Sequence, residues 1–206
     1  MRKCANINIP FIHISSEYVF DGCGKTPISP TTLPNPQNAY GRSKLQGEKE
    51  IIASNANYAI IRTSRVVSSH GNNFIKTMLQ LSQTKEKLSV VSDQIGGPTP
   101  AKALADACHE IARQIIIDPN KSGIYHFSGS PNVSWCQFAN EIFKKINCTT
   151  KAYPVLTSQY PTLAKRPKNN RLDCRMTKNI FNISRPNWKK SLDNILNELE
   201  AENGKT

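Results

Sequence analysis

Short apolar runs alternate along the chain with longer segments in which apolar residues recur every three to four positions. Runs of four to six residues that are bounded by Pro, Gly or polar residues predict buried strands. These runs lie at residues 10–15, 58–62, 88–91 and 123–127. Helical periodicity predicts helices over 38–54, 73–85, 101–117 and 135–146, and a last helix from about Trp188. This alternation predicts an α/β fold with a mainly parallel sheet.

The polar residues between these elements set their expected ends. Thr99 is expected to cap the helix 101–117, with proline at its start, and Ser134 to cap the next helix. Residues 1–8 are expected to form the tail of a helix that precedes the first strand. Irregular stretches at 64–72, 92–100 and 150–187, with a Pro- and Lys-rich loop at 153–172, are long for one tight domain. They predict a second lobe that closes on a site.

Composition narrows the classes of function. The formal net charge is +12, which fits nucleic acid, an anionic membrane surface, an acidic small substrate or no function at all. Residues 165–190 hold nine Lys or Arg against one acid, but no nucleic-acid motif accompanies them. We therefore expect a diphosphate-facing loop or a solvated face there, and no nucleic-acid partner.

The cysteines and the hydropathy of the chain point to a compartment. None of the six cysteines forms a C-x-x-C or lies near a spaced His pair, so no zinc site is expected. The start of the chain lacks the apolar core of a signal peptide, and no apolar run approaches 18 residues. We expect a cytoplasmic protein with reduced thiols and no membrane contact.

Two clusters of side chains could support chemistry. Tyr40 and Lys44 lie four residues apart on a predicted helix and so share a face. An ammonium about 5 Å from a phenol lowers the pKa of the phenol by about two units at an effective dielectric of about 20. The alternative is an ordinary surface pair, which spacing alone favours.

The second cluster lies where the first strand ends. Ser15, Ser16 and Glu17 place two hydroxyls and a carboxylate at a carboxyl end of a parallel strand, where ligands of open α/β sheets bind. A serine there can donate to a carbonyl oxygen as that oxygen gains charge. The alternative is a turn in which these side chains bond their own backbone.

With both clusters in view, the chain resembles the dTDP-4-dehydrorhamnose reductases, which are extended short-chain dehydrogenases/reductases. That family has S-T-D-Y-V-F-D-G, then a proline-rich loop, then Y-G-x-[ST]-K-x-x-G-E. Here residues 15–22 read SSEYVFDG and residues 40–48 read YGRSKLQGE. The resemblance continues through VVSDQIGGPT at 90–99 and the R-P and R-L-D residues at 166–173. It covers nearly the whole chain in family order.

The resemblance implies roles for particular residues. Ser16 stands at the position of the catalytic threonine and would bond the C4 ketone of the sugar substrate. Tyr40 would protonate that oxygen, and Lys44 would bind the nicotinamide ribose and lower the pKa of Tyr40. Glu17 replaces the family's aspartate and is a further catalytic candidate. Arg65 replaces tryptophan, either as a lost substrate contact or as a cation for the sugar-nucleotide diphosphate.

The resemblance also implies the architecture: the C-terminal part of a Rossmann-like doubly wound parallel sheet with a small substrate-binding lobe. Residues 1–63 would be the C-terminal half of the NAD(P)-binding domain. Residues 64–206 would mainly form the substrate lobe, with 101–128 returning to the Rossmann sheet. The glycine-rich turn that approaches the cofactor pyrophosphate has no counterpart in the sequence. The first half of the cofactor domain is therefore expected to be missing, and a separate N-terminal half chain is one expected partner.

The activity implied by the resemblance is NADPH-dependent reduction of dTDP-4-dehydro-L-rhamnose to dTDP-L-rhamnose, with the sugar nucleotide as partner. This activity belongs to the biosynthesis of cell-surface polysaccharides. The sequence leaves open NADH in place of NADPH, a requirement for Mg²⁺, for which no ligand is identifiable, and a homodimer. The alternative is a non-catalytic relative that binds a partner, as the beta subunit of methionine adenosyltransferase does.

Overall fold

The computed structural model describes residues 4, 6, 7 and 9–203. The helix tail expected over 1–8 therefore lies largely outside the described residues. Helices occupy α1 Ala39–Ile52, α2 Phe74–Ser82, α3 Ala101–Ile117, α4 Trp135–Lys145, α5 Arg175–Phe181 and α6 Trp188–Asn203. The longer strands are β1 Phe11–Ser16, β2 Tyr58–Thr63, β4 Lys87–Val91, β7 Gly123–His126 and β9 Lys151–Val155. The two-residue strands are β3 Val66–Val67, β5 Ile95–Gly96, β6 Thr99–Pro100, β8 Val133–Ser134 and β10 Asn169–Asn170.

One parallel sheet carries the order β1-β2-β7. Its register aligns Ser16 with Thr63 at the carboxyl ends of β1 and β2. The predicted parallel sheet is thereby confirmed, and it contains the first, second and fourth apolar runs. Helix α1 contacts β1, and α3 packs against β2 and β7 through a shared apolar cluster. The buried aliphatic side chains of β2 explain why this strand is central.

A second apolar cluster lies under the smaller sheets. Strands β4 and β9 pair in parallel, β10-β5-β8 form a three-stranded sheet, and β3 pairs with β6. Helices α4 and α6 supply most of this cluster, and α2 joins it through Met78. The expectation of an irregular stretch over 150–187 is wrong, because that segment contains β9, β10 and α5. The division of the chain into domains at residue 63 stays a prediction.

Helix caps fix the ends of two helices that matter for the site. Ser134 accepts from the backbone N–H of Gln137 at the start of α4, and Gln137 accepts from Ser134 N–H, so the expected cap is confirmed. The cap expected from Thr99 is wrong. Thr99 Oγ1 instead donates to the carbonyl oxygen of Ser64 at 2.6 Å, and α3 begins after Pro100 without a side-chain cap. The hydroxyl therefore joins β6 to the residue that follows β2 instead of satisfying a helix end.

A buried ion pair joins α1 to the parallel sheet. Glu48 of α1 accepts two hydrogen bonds from the guanidinium of Arg62 on β2, at 2.9 and 2.6 Å. Ser15 of β1 donates its hydroxyl proton to the same carboxylate. Glu48 and Arg62 are 1% and 2% exposed, so the pair is shielded from water.

Among the helices of the described chain, none is long and apolar enough to cross a membrane.

Candidate active site

A cleft of about 550 Å³ opens where β1 ends and α1 begins; we call it the β1 cleft. Parallel strands place their carboxyl ends at one edge of the sheet, and this edge forms one wall of the cleft. Loops, β10 and the first turn of α4 supply the other wall. The side chains that line it and enter the argument are those of Ser16, Glu17, Tyr40, Lys44, Thr63, Arg65, Gln94, Trp135, Arg166 and Asn170.

Ser16 is the last residue of β1 and lies at the bottom of the cleft, 7% exposed. Its hydroxyl oxygen accepts from the backbone N–H of Tyr18 at 3.2 Å, and this bond turns the chain into a single 3₁₀ turn over Glu17–Val19. Its hydroxyl group donates to Glu17 Oε2, with 2.7 Å between the two oxygens. The same oxygen therefore has both a structural acceptor role and a donor role.

Helix α1 brings Tyr40 to the cleft. Asn38 caps the helix by accepting from Gly41 N–H at 2.9 Å. Gly41 permits close approach to the 3₁₀ turn, because a Cβ at this position would lie 2.1 Å from the carbonyl oxygen of Tyr18. The rings of Tyr40 and Tyr18 then meet edge to face at 5.6 Å. Tyr40 remains 53% exposed, so its phenol is open to a ligand in the cleft.

The electrostatics of Tyr40 differ from the sequence expectation. Burial raises the pKa of Tyr40, the negative charge of Glu17 raises it further, and a hydrogen bond with Ser16 partly opposes both. The expected lowering by Lys44 is therefore wrong for the protein by itself. Lys44 Nζ lies 5.9 Å from the centre of the Tyr40 ring and donates to the carbonyl oxygen of Ile14 at 3.1 Å. The hydrogen bond to β1 therefore holds the Lys44 ammonium beside the Tyr40 ring.

Glu17 is the buried acid of the site, 5% exposed. Burial raises its pKa to about 7, although the hydrogen bond from Ser16 and the charge of Arg65 oppose the rise. A carboxyl with this pKa exchanges its proton near neutral pH. Perturbed groups of this kind in a cleft are characteristic of functional sites.

Arg65 lies on the opposite wall, 9% exposed. Its two terminal nitrogens donate to the carbonyl oxygens of Val133 at 2.8 Å and Gln94 at 2.7 Å, and its guanidinium stacks on Trp135 at 4.2 Å. Burial lowers the pKa of Arg65 to about 10, and the charge of Glu17 opposes this. Arg65 therefore remains a cation at neutral pH, and its Nε has no hydrogen-bond partner among the described residues.

The sequence patterns did not single out several side chains of the cleft. Trp135, Gln94 and Asn170 come from three separate segments, and only the fold brings them together. Thr63 could have been found, because it ends a strand next to β1; its Oγ1 is buried and lacks a partner among the described residues. Arg166 appeared only as part of a motif, and it now lies in the cleft lining. No group of three or more His, Cys, Asp or Glu residues that could hold a metal gathers in the described part of the chain.

Sequence comparison places these features in a family. The model of the RmlD substrate binding domain matches residues 1–201. A dTDP-4-dehydrorhamnose reductase of Sinorhizobium fredii is 40% identical over 196 residues, which cover 92% of this chain and 66% of the relative. The enzyme of that name from Escherichia coli K12 is 38% identical, and the match covers 97% of this chain and 69% of the relative. The chain thus spans about two thirds of the length of these relatives.

Solved structures give the same answer. A dTDP-4-dehydrorhamnose reductase of Clostridium acetobutylicum superimposes with a TM-score of 0.87 at 36% identity, covering 96% of this chain and 68% of that one. The reductase of Bacillus anthracis, solved in complex with NADP, gives a TM-score of 0.85 at 33% identity, with 95% and 68% covered. Together with the match to the family model over residues 1–201, these similarities show that the chain belongs to the RmlD family of dTDP-4-dehydrorhamnose reductases.

Proposed function

We propose that this chain carries the catalytic residues and the sugar-binding lobe of an NADPH-dependent oxidoreductase that reduces the C4 ketone of dTDP-4-dehydro-L-rhamnose. One observation carries the proposal. Ser16, Tyr40 and Lys44, which lie up to 28 positions apart in the sequence, converge on the β1 cleft. A hydroxyl donor, a phenol and an ammonium around one opening are what ketone reduction requires.

Proton transfer is assigned to Tyr40 and Ser16. The raised pKa of Tyr40 keeps the phenol protonated at neutral pH, which suits a general acid in the direction of reduction. The Ser16 hydroxyl donates to the ketone oxygen as negative charge develops there. Tyr40 then transfers its proton to that oxygen, and the product is the C4 alcohol. When bound, NADPH supplies the hydride that reaches the C4 carbon.

The cleft fits the nicotinamide end of the cofactor. Lys44 projects to the carboxyl end of β1, where it would bind the ribose hydroxyls together with Tyr40. Thr63 Oγ1, buried and unpartnered among the described residues, adds a hydroxyl at the end of β2. β1 leads into a 3₁₀ turn and not into a glycine-rich turn, so the cofactor pyrophosphate needs contacts from elsewhere.

The open edge of β1 is the place where those contacts would attach. Within the described chain β1 pairs on one side only, with β2. Ile14 on this strand is 44% exposed, and Ile9 just before it is 51% exposed. We propose that a segment outside these 206 residues, on the same or another polypeptide, extends the sheet here and completes the cofactor site.

The free state of all six cysteines supports a cytoplasmic location.

The sugar nucleotide would enter from the side of the opposite wall, which contains Arg65, Trp135 and Arg166. Arg166, an exposed cation in the cleft lining, is assigned to the diphosphate. Arg65 is less suited to that task, because both of its terminal nitrogens are already bonded to backbone carbonyl oxygens. We assign Arg65 to the shape of the sugar pocket and to the charge balance of Glu17. Trp135, held under its guanidinium, supplies an apolar surface for the sugar.

Neither alternative class of function gains support. A non-catalytic binding subunit does not need a phenol left half exposed in a cleft beside a buried hydroxyl. The basic segment 165–190 does not favour nucleic-acid binding, because several of its cations form ion pairs or hydrogen bonds within the protein. The engaged pairs are Lys168 with Asp93, Arg171 with Asn169, Arg175 with Asp173, Lys178 with Asn182, and Arg185 with Ser128.

The test is reduction of dTDP-4-dehydro-L-rhamnose by the protein in the form in which its cell makes it. The reaction is monitored by the loss of NADPH absorbance. Tyr40→Phe should lower turnover by about 10²-fold or more, the scale of a lost general acid. Tyr153→Phe is the matched control, because Tyr153 is exposed on β9 and does not line the cleft. Full turnover by Tyr40→Phe, or an equal loss in both variants, would contradict the assignment.

A further inference from the structure

Glu17 is a buried carboxyl at the bottom of the cleft, and the reaction outlined above does not use it. Its Oε2 lies 2.7 Å from Ser16 Oγ, and Ser16 is the residue assigned to the ketone oxygen. The Ser16 hydroxyl has one proton to donate. If that proton is held by Glu17, it is not available to the ketone.

The direction of this bond depends on the protonation of Glu17. As a carboxylate, Glu17 can only accept, and the Ser16 hydroxyl donates its hydrogen bond to it. As a neutral acid, it can donate to Ser16 Oγ and leave the Ser16 proton free to turn toward the cleft. We propose that Glu17 is a positioning residue that works as a neutral carboxylic acid and aims the Ser16 hydroxyl at the ketone oxygen. This inference rests on the proposed reductase function.

The groups around Glu17 make both forms accessible. Arg65 faces it from the opposite wall and favours the carboxylate, and Tyr40 of α1 and Tyr18 of the 3₁₀ turn lie close enough to feel its charge. Burial acts in the opposite direction and raises the pKa of Glu17 to about 7. Glu17 therefore binds a proton below this pH and loses it above. The proton comes from water through the cleft, and no covalent bond to Glu17 forms.

A pH profile separates this role from a merely structural one. With the wild type, kcat/KM for ketone reduction should fall about tenfold per pH unit above about 7, because ionised Glu17 accepts the hydrogen bond of the Ser16 hydroxyl and turns it away from the ketone. In Glu17→Gln the amide N–H donates to Ser16 Oγ at every pH, so this alkaline limb should disappear. Glu50→Gln, on the exposed face of α1, is the matched control and should keep the limb. A limb that persists in Glu17→Gln would overturn the proposal.

A second measurement does not depend on activity. Carboxyl ¹³C NMR of the Glu-labelled protein should show a side chain that titrates near pH 7 and is missing in Glu17→Gln. Ser16→Ala should raise the pKa of this group, since the bond from the hydroxyl stabilises the carboxylate. A Glu17 pKa that does not move in Ser16→Ala would contradict the coupling. If no ketone reduction occurs in the wild type while this titration appears as expected, the proposed function fails and the Ser16–Glu17 coupling stands.

Discussion

Lys44 Nζ donates to the carbonyl oxygen of Ile14 at 3.1 Å, and this bond ties the helix of the catalytic candidates to the strand that carries Ser16. A lysine held in this way has little freedom to search for its ligand, so less conformational entropy is lost when a ribose binds. Removal of the Lys44 ammonium should affect both the binding of the cofactor and the position of α1 relative to β1 at the cleft.

We therefore expect Lys44→Met to raise KM for NADPH and to lower kcat, with a combined loss of about 10²-fold in kcat/KM. Lys49→Met tests whether any lost charge on α1 has this effect, because Lys49 is exposed on the same helix and lies outside the cleft. Steady-state kinetics of both variants decide the question. A Lys44→Met enzyme with the wild-type KM for NADPH would contradict the cofactor contact.

Gly41 and Gly47 form a matched pair of glycines on α1. Gly41→Ala should destabilise the fold by about 1–3 kcal/mol and reduce turnover, because the new Cβ would lie 2.1 Å from Tyr18 O and push Tyr40 away from Ser16. Gly47→Ala places its Cβ 3.7 Å from His13 and should instead stabilise the helix by up to about 1 kcal/mol. Urea unfolding and turnover measure the two effects. Equal responses at the two positions would show that contact with the 3₁₀ turn has no influence.

The buried pair of Glu48 and Arg62 predicts a large loss of stability when only one partner is removed. Glu48→Gln should lower the free energy of unfolding by about 3–5 kcal/mol, since it leaves the guanidinium of Arg62 buried without a counter-charge. The double variant Glu48→Met with Arg62→Leu should recover much of this loss. Glu50→Gln is the control for a surface carboxylate and should change stability by less than about 0.5 kcal/mol. A double variant less stable than Glu48→Gln would contradict the explanation.

Two buried groups predict opposite dependences of stability on pH. The pKa of His126 falls from 6.5 to about 3, mainly by burial, and its Nδ1–H donates to Ile28 O at 3.1 Å. The folded protein thus binds fewer protons at His126 than the unfolded chain, and stability is lost as the pH falls below about 6.5. The pKa of Glu17 rises from 4.5 to about 7, so Glu17 favours the folded state at low pH and loses that contribution as the pH rises.

Between about pH 4.5 and 6.5 these two effects should nearly cancel, each at about 1.4 kcal/mol per pH unit. Glu17→Gln should therefore expose the loss of stability toward acid that His126 causes. His126→Gln should expose the opposite slope of Glu17. Denaturant unfolding at a series of pH values gives both slopes. If the slope in this range is the same in the wild type and both variants, neither group is linked to folding.

The sequence predicted the parallel sheet because β1, β2 and β7 are apolar runs with clear boundaries. It did not predict β9, whose residues Lys151–Val155 include a proline and are mostly exposed; only pairing with β4 makes this segment a strand. Helix α5 was missed for a similar reason, since its apolar face has few residues. Position in the fold overrode the local pattern in both segments.

The sequence predicted part of the candidate site, with Tyr40 and Lys44 among its residues, but not its electrostatics. The spacing of Tyr40 and Lys44 placed both residues on one face, and the structure brings both to the cleft. Spacing could not reveal that Ile14 O accepts a hydrogen bond from Lys44 Nζ, or that Glu17 lies near the phenol. Long-range contacts of this kind decide the direction of a pKa shift. The second wall, with Arg65 on Trp135, was equally hidden, because three separate segments meet there.

The link from Glu48 to both Ser15 and Arg62 has a mechanical consequence. It joins β1, β2 and α1 into one block. We therefore expect the candidate proton donors Ser16 and Tyr40, which lie on β1 and α1, to keep a constant geometry. The opposite wall contains Val133, Gln94 and Trp135 together with the guanidinium of Arg65, which contacts all three. Any narrowing of the cleft around a sugar must therefore change the span from the block to that wall while the geometry among the donors stays constant. Because Arg65 follows β2 by only two residues, its hydrogen bonds to the carbonyl oxygens of Val133 and Gln94 would report such a motion.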